Sequence, residues 1–235
     1  MNDVAAIFAP DTVVELASGL LPDAVEVAVA YPWEAPDGLW PEETASLSNP
    51  VDKRLREFAA GRRAARQAMS QLDLPAAAIP HGSDRAPVWP RGVVGSLSHT
   101  DTICVAVVAH SGQFSALGLD IEEDADLPRD LWPEVLTPIE TAWLSVQPEK
   151  MRGRLARLIF SAKECAYKLQ YPITGKLLGF GAFDITLDVE TGQIEATLTD
   201  DVAPFVARTQ FAGRFAFGAG LVLTAMALPR SMRPA

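Results

Sequence analysis

The sequence predicts an α+β fold of two similar halves, each a long helix packed on a small, mainly antiparallel sheet, with a ligand cleft between them. Three observations predict it. Apolar residues recur at helical spacing over two long stretches, 52–73 and 150–171. Each stretch is followed by short apolar or alternating runs of strand length. At an offset of 102, residues 57–66 lie over 159–168 and match Phe58/Phe160, Ala60/Ala162, Ala64/Ala166 and Arg66/Lys168. The echo implies a pseudo-twofold relation between an N-terminal half, 1–118, and a C-terminal half, 119–235. Two fused halves suit a monomer.

In chain order, 25–30 reads as a short strand and the Pro/Trp-rich stretch 31–41 as a loop. The helix at 52–73 stops before Pro75, and the proline-rich stretch 75–92 is an irregular connection. Residues 103–109 form a continuous apolar run of strand length, and 117–122 alternate as a half-buried strand does. Helices follow at 138–146 and 150–171. The runs 183–189, 194–198, 214–217 and 221–227 read as hairpin-connected strands.

Composition narrows the class. Nearly half the residues are apolar, so the chain buries a core rather than remaining disordered. No apolar run reaches the roughly 18 to 20 residues that span a bilayer, and the N-terminus lacks the pattern of a signal peptide. Both cysteines, Cys104 and Cys165, sit in apolar segments, which fits buried thiols in a reducing compartment. A soluble, cytoplasmic protein without a membrane partner is expected.

The net charge of −10 argues against a nucleic-acid partner, but its distribution is uneven. Residues 1–50 carry nine carboxylates and no Lys or Arg. Residues 51–66 then hold Lys53, Arg54, Arg56, Arg62, Arg63 and Arg66 against Asp52 and Glu57. From 119 to 140 the sign reverses, with eight carboxylates against Arg129. A basic helix followed by an acidic cluster suits a ligand bearing phosphates and a metal ion, or else two solvated faces.

Several residues break the packing pattern. Arg62 falls within the apolar stripe of its helix and Arg66 near its edge. A guanidinium there needs either an internal carboxylate or a bound phosphate, which its planar fork matches. On the helix at 150–171, the nominal outer face holds Phe160, Glu164, Tyr167, Lys168 and Tyr171, which suggests a cleft wall or a second packing surface. Asp120 and Glu122 alternate with Leu119 and Ile121, so both carboxylates share one strand face about 6.6 Å apart at Cα. Hard oxygen donors so placed suit Mg²⁺. In Gly95-Ser-Leu-Ser-His99, small residues let backbone N–H groups approach a ligand and His99 can donate to a phosphate.

Taken together, the segments 56–66, Ala86-Pro-Val-Trp-Pro90, Val94-Gly-Ser-Leu-Ser-His99, Gly118-Leu-Asp-Ile-Glu122, Phe160-Ser-Ala-Lys-Glu-Cys-Ala-Tyr-Lys168 and Gly220-Leu-Val-Leu-Thr-Ala225 resemble the Sfp-type 4′-phosphopantetheinyl transferases, especially the enterobactin synthase component D branch. The resemblance runs from about 51 to 228. It implies an enzyme that moves the phosphopantetheine group of coenzyme A onto a serine of an acyl, aryl or peptidyl carrier protein. By the same resemblance Asp120, Glu122 and Glu164 hold Mg²⁺. Arg54, Arg62, Ser98, His99, Lys163 and Lys168 surround the coenzyme, and Asp120 contacts it through the metal. His81 stands where some relatives carry a lysine. Glu164 and Lys168 are the implied catalytic pair. Two rival readings are another Mg²⁺-dependent phosphate-transfer enzyme and an inactive subunit of a siderophore synthase.

Overall fold

A computed structural model describes residues 10–47 and 50–232 of the chain. Helix α1 (Pro10–Ser18) leads into strand β1 (Glu26–Ala30), the short helix α2 (Pro41–Ala45) and the long helix α3 (Asp52–Gln71). Three strands follow, β2 (Val93–His99), β3 (Cys104–His110) and β4 (Phe114–Glu123), then short helices α4 (Trp132–Val135) and α5 (Pro138–Ser145). The second long helix, α6 (Glu149–Thr174), precedes β5 (Phe183–Asp188), β6 (Gln193–Leu198), β7 (Gln210–Gly218) and β8 (Leu221–Pro229). Among the described residues no helix is long and apolar enough to cross a membrane.

The strands form two antiparallel sheets, β1-β3-β2 and β4-β8-β7-β6-β5. The expected mixture of long helices and antiparallel sheet is therefore present, with three strands on one side and five on the other. The sequence reading located α3, α5 and α6 within a few residues but missed the short helices α1, α2 and α4, and its succession of elements left out the Gly95–His99 motif. That segment is itself a strand, because its serines alternate with Leu97 and satisfy backbone groups of β4.

Period-two alternation builds the layers. On β3, Cys104, Ala106 and Val108 pack against the Ala60, Ala64 and Ala68 stripe of α3. The opposite face, Val105 and Val107, joins Leu117, Leu119 and Ile121 of β4 and Leu221 and Leu223 of β8 in a central cluster. The far face of the larger sheet packs on Leu158, Ile159, Ala162, Ala166 and Leu169 of α6. Positions 60, 64, 162 and 166, the small matches of the internal echo, are all fully buried contact points of the two long helices.

The approach of α6 to β4 is fixed by Gly118. A Cβ at that position would stand 2.3 Å from the carbonyl oxygen of Cys165, far inside any tolerable contact. Ala116, Gly118, Asp120 and Glu122 share the face opposite the central cluster, so the small residues seat the helix and the acidic ones follow them along its surface.

The acidic leader also finds a role. Glu43 of α2, fully buried, takes Arg66 of α3 at 2.6 Å and the backbone N–H of Ile79 at 2.9 Å. Glu34 takes Arg63 at 2.9 Å, and Asp52 takes Arg56 at 2.8 Å. Much of the positive charge on α3 is thus neutralised within the chain. Lys53 and Arg54, at its exposed end, pair with Asp101 at 2.7 Å and with Glu57 at 3.8 Å.

Candidate active site

A cavity of about 740 Å³ is lined by the Arg54–Arg62 face of α3, the loop 82–89, strand β2 from Gly95 to His99, and Tyr167, Lys168 and Tyr171 of α6. The aromatic residues on the nominal outer face of α6 are thereby explained. Tyr167 and Tyr171 stack with centroids 5.5 Å apart and wall this cavity, while Phe160 packs on Phe180 at 5.4 Å. The Tyr171 hydroxyl donates to Asp84 of the loop and so ties α6 to the connection after α3.

The two arginines on the α3 stripe resolve differently. Arg66 has the internal carboxylate, Glu43. Arg62, 7% exposed, has none in ion-pair range among the described residues. Its Nε donates to the carbonyl of Ile79 at 2.8 Å and its guanidinium stacks 3.6 Å above the ring of Phe58. Burial lowers its pKa to about 10, so it stays charged at neutral pH while facing the cavity. A buried cation held by one carbonyl and a ring, and open to a hollow, is built to receive an anion.

On the opposite wall, Lys168 Nζ donates to Asp120 Oδ1 at 2.6 Å and to Ser98 Oγ at 3.0 Å. Ser98 Oγ donates in turn to Asp120 Oδ1 at 2.9 Å and accepts the backbone N–H of Ile121 at 3.3 Å. One turn of the pleat earlier, Ser96 Oγ accepts the N–H of Leu119 at 3.1 Å. The two serines of the Gly95–His99 motif therefore stitch β2 to β4, which aligns His99 and Asp120 on neighbouring strands. Asp120 Oδ2 is buried and has no hydrogen-bond partner among the described residues.

The carboxylates repel one another. Burial, then the charge of Asp120, push Glu122 up to about 7, against the opposing effect of Arg157. Glu164 is raised by burial and by Asp120. Burial disfavours the Lys168 ammonium, but Asp120 and Glu164 outweigh it and raise its pKa. His99 lies 3.9 Å from Glu57, and burial lowers its pKa. Among the described residues no three carboxylate, imidazole or thiol groups are already closed around one point. Glu122 is turned toward Arg157 at 3.0 Å. The unpartnered Oδ2 and the mutual repulsion nevertheless fit a hard divalent cation, which would satisfy the one and relieve the other.

Arg54, Arg62, Ser98, His99 and Lys168 all line the cavity, with Asp120 bonded to two of them. Lys163 and His81 are placed elsewhere. Lys163, 1% exposed, bonds to the carbonyls of Val135 and Phe180 at 2.8 and 2.9 Å and pairs with Glu140 at 2.8 Å. His81 packs edge-on to Phe58, its Nδ1 2.8 Å from the carbonyl of Gly82. Sequence reading missed Arg157, Asp84 and Arg85. Arg157 lies two helical turns before Glu164, a spacing that could have found it, whereas nothing local marks the two loop residues as cavity lining.

Residues 42–109 match the family model of the 4′-phosphopantetheinyl transferase N-terminal domain, and residues 116–219 match that of the 4′-phosphopantetheinyl transferase superfamily. The chain belongs to that superfamily and is an enzyme of this type. Among its relatives, the 4′-phosphopantetheinyl transferase Npt of Nocardia iowensis is 35% identical over 88% of this chain and 97% of its own length. The 4′-phosphopantetheinyl transferase PptT of Mycobacterium tuberculosis is 34% identical over 92% of this chain and 100% of its own. Enterobactin synthase component D of Escherichia coli is 37% identical over 56% of this chain and 62% of its own.

Proposed function

We propose that this chain transfers the 4′-phosphopantetheine group of coenzyme A to a serine of an acyl, aryl or peptidyl carrier protein, with Mg²⁺, and releases adenosine 3′,5′-bisphosphate. The observation that carries it is the meeting of α3 and α6 across one hollow: an anion-ready Arg62 on one wall, and Lys168 beside a carboxylate with an unpartnered buried oxygen on the other.

In this reading the two halves, 1–118 and 119–235, form a single working unit related by a pseudo-twofold axis, with the ligand cleft between them. Arg54, Arg62, His99 and Lys168 bind the phosphates of coenzyme A; Arg62 also offers its fork in a dry setting, where a charge-assisted bond is strong. Asp120, Glu122 and Glu164 are the residues that would hold Mg²⁺. Bound there, the ion supplies charge stabilisation to the pyrophosphate oxygens. Glu164 takes the proton of the carrier serine, directly or through one water. The serine Oγ forms a bond to the β-phosphorus, and the bond from that phosphorus to the bridging oxygen breaks. Lys168 and Arg62 meet the charge that leaves on adenosine bisphosphate. Lys163 is assigned to structure: with Glu140 it ties α5 to α6. Lys53 and Arg54 are exposed on α3, where an acidic carrier helix would compete for them with Asp101 and Glu57.

The test is incubation of the protein with coenzyme A, Mg²⁺ and a panel of apo carrier proteins, read by mass spectrometry. One phosphopantetheine group added to a carrier serine, abolished by chelator, is the expected result. A folded protein that modifies no carrier overturns it.

A further inference from the structure

We propose that Arg157 is a positioning residue for the carboxylate cluster, holding Glu122 ready for a divalent cation. The inference rests on the metal reading above. Arg157, Glu164 and Lys168 recur at intervals of seven and four, so all three lie within an arc of about 40° on one face of α6. That face runs along β4, where Asp120 and Glu122 point the same way. Lys168 pairs with Asp120 at 2.6 Å and Arg157 with Glu122 at 3.0 Å. Each strand carboxylate thus has its own helix cation, and Glu164 comes between the two cations on the helix.

The contact is specific. Arg157 Nη1 donates to Glu122 Oε2, while Nε and Nη2 donate to the carbonyls of Ala125 at 3.4 Å and Asp126 at 3.3 Å. The two backbone bonds fix the guanidinium, and the third bond fixes Glu122 through one oxygen and leaves the other available. A carboxylate beside two others would otherwise turn away from them toward water. Groups that orient a metal ligand in this way matter for affinity about as much as weak ligands do.

A purely structural role is separable, because the turn after β4 has other anchors. Arg154 clamps Asp124 through two bonds of 2.6 and 2.7 Å, and the N–H of Leu127 donates to the carbonyl of Gly153 at 3.0 Å. Arg154 holds the turn without touching Glu122.

The experiment titrates the full chain with Mn²⁺ as the probe, without coenzyme A, following the free-ion signal by electron paramagnetic resonance, with a thermal melt for each variant. Arg157→Gln weakens Mn²⁺ binding about tenfold or more. Arg157→Lys, which keeps the charge but not the three-way fork, gives an intermediate loss and serves if the Gln variant does not fold. Arg154→Gln lowers the melting temperature and leaves Mn²⁺ affinity unchanged. Undiminished or tighter binding by both Arg157 variants, or an equal loss in Arg154→Gln, overturns the proposal while the metal reading stands. Mn²⁺ binding that survives Asp120→Ala overturns the metal reading and the proposal with it.

Discussion

Lys168 holds one oxygen of Asp120 at 2.6 Å and leaves the other, Oδ2, buried without a partner among the described residues. A lysine serving only to neutralise the carboxylate would leave no buried acceptor unmet, since such an oxygen costs about 1–3 kcal/mol. The pair is therefore half-finished, and the missing partner is a donor or a cation. Asp120→Asn keeps the shape and the Ser98 contact but removes the charge. We expect kcat/KM for carrier modification to fall at least about a hundredfold, several kcal/mol of lost charge stabilisation. Near-normal, metal-dependent turnover in this variant would remove Asp120 from the site.

Glu164→Gln separates proton removal from binding. Glu164 is also one of the residues that would hold Mg²⁺, and Gln keeps an oxygen for the metal while removing the basic carboxylate. Loss of such a base lowers the rate about 10² to 10⁴-fold. Steady-state kinetics with saturating Mg²⁺ should show the loss in kcat, with coenzyme A binding by calorimetry changed far less. A loss confined to KM contradicts the base role.

Arg62 and Arg66 are one helical turn apart on α3 and should fail in opposite ways. Arg62→Met removes a cation that faces the cavity and keeps the stack on Phe58. Coenzyme A binding should weaken about ten- to a hundredfold, the value of one or more charged hydrogen bonds, with little change in melting temperature. Arg66→Met strands the fully buried Glu43 and should cost about 3 kcal/mol of stability, with coenzyme affinity retained. Calorimetry and denaturant unfolding on both variants decide it.

These two arginines also mark how far the sequence could be read. Helical spacing identified both as misplaced on an apolar stripe, but the deciding partner, Glu43, is twenty-three residues upstream in a leader whose acidity had no local explanation. Lys163 shows the same limit: its motif placed it with the coenzyme residues, and only tertiary packing shows three acceptors closing around its ammonium. The Asp120 and Glu122 face was legible because strand alternation is a local rule. The stitching of β2 to β4 by Ser96 and Ser98 was not, because it depends on two strands becoming neighbours across different sheets.

The two thiols contribute to the alkaline limit of stability. Burial, then the Glu57 carboxylate, push Cys104 up to about 12, and burial and Asp120 raise Cys165 further. Both folded values stand above the ordinary thiol value of 9.0, so their contribution is full below pH 9 and is lost as pH rises from 9 toward 12. Arg62, lowered to about 10, and Lys163, also lowered, work the other way, while Tyr31, Tyr167 and Tyr171, all raised, act with the thiols. The melting temperature should decline from pH 9 upward, with a shallower decline in the Cys104→Ala/Cys165→Ala variant. At pH 8 neither thiol should react with a disulfide reagent until the chain unfolds.

Gly118→Ala tests the seat of the whole arrangement. The added methyl would meet the Cys165 carbonyl at 2.3 Å and the Leu169 Cβ at 3.1 Å, and the first of these is helix backbone that cannot rotate aside. The helix must shift off β4, and overpacking of this kind costs about 1–3 kcal/mol. Because Glu164 and Lys168 ride on the same turns of α6, the shift also parts Lys168 from Asp120 and Glu164 from the strand carboxylates. Activity per folded molecule should therefore fall by more than the stability loss explains, about a hundredfold for a displacement near 1 Å. Ala116→Gly, one pleat earlier on the same face, removes volume instead of adding it and should reduce stability with activity per folded molecule intact. Equal activity in folded Gly118→Ala and wild-type protein would show that the spacing of α6 from β4 does not set the site.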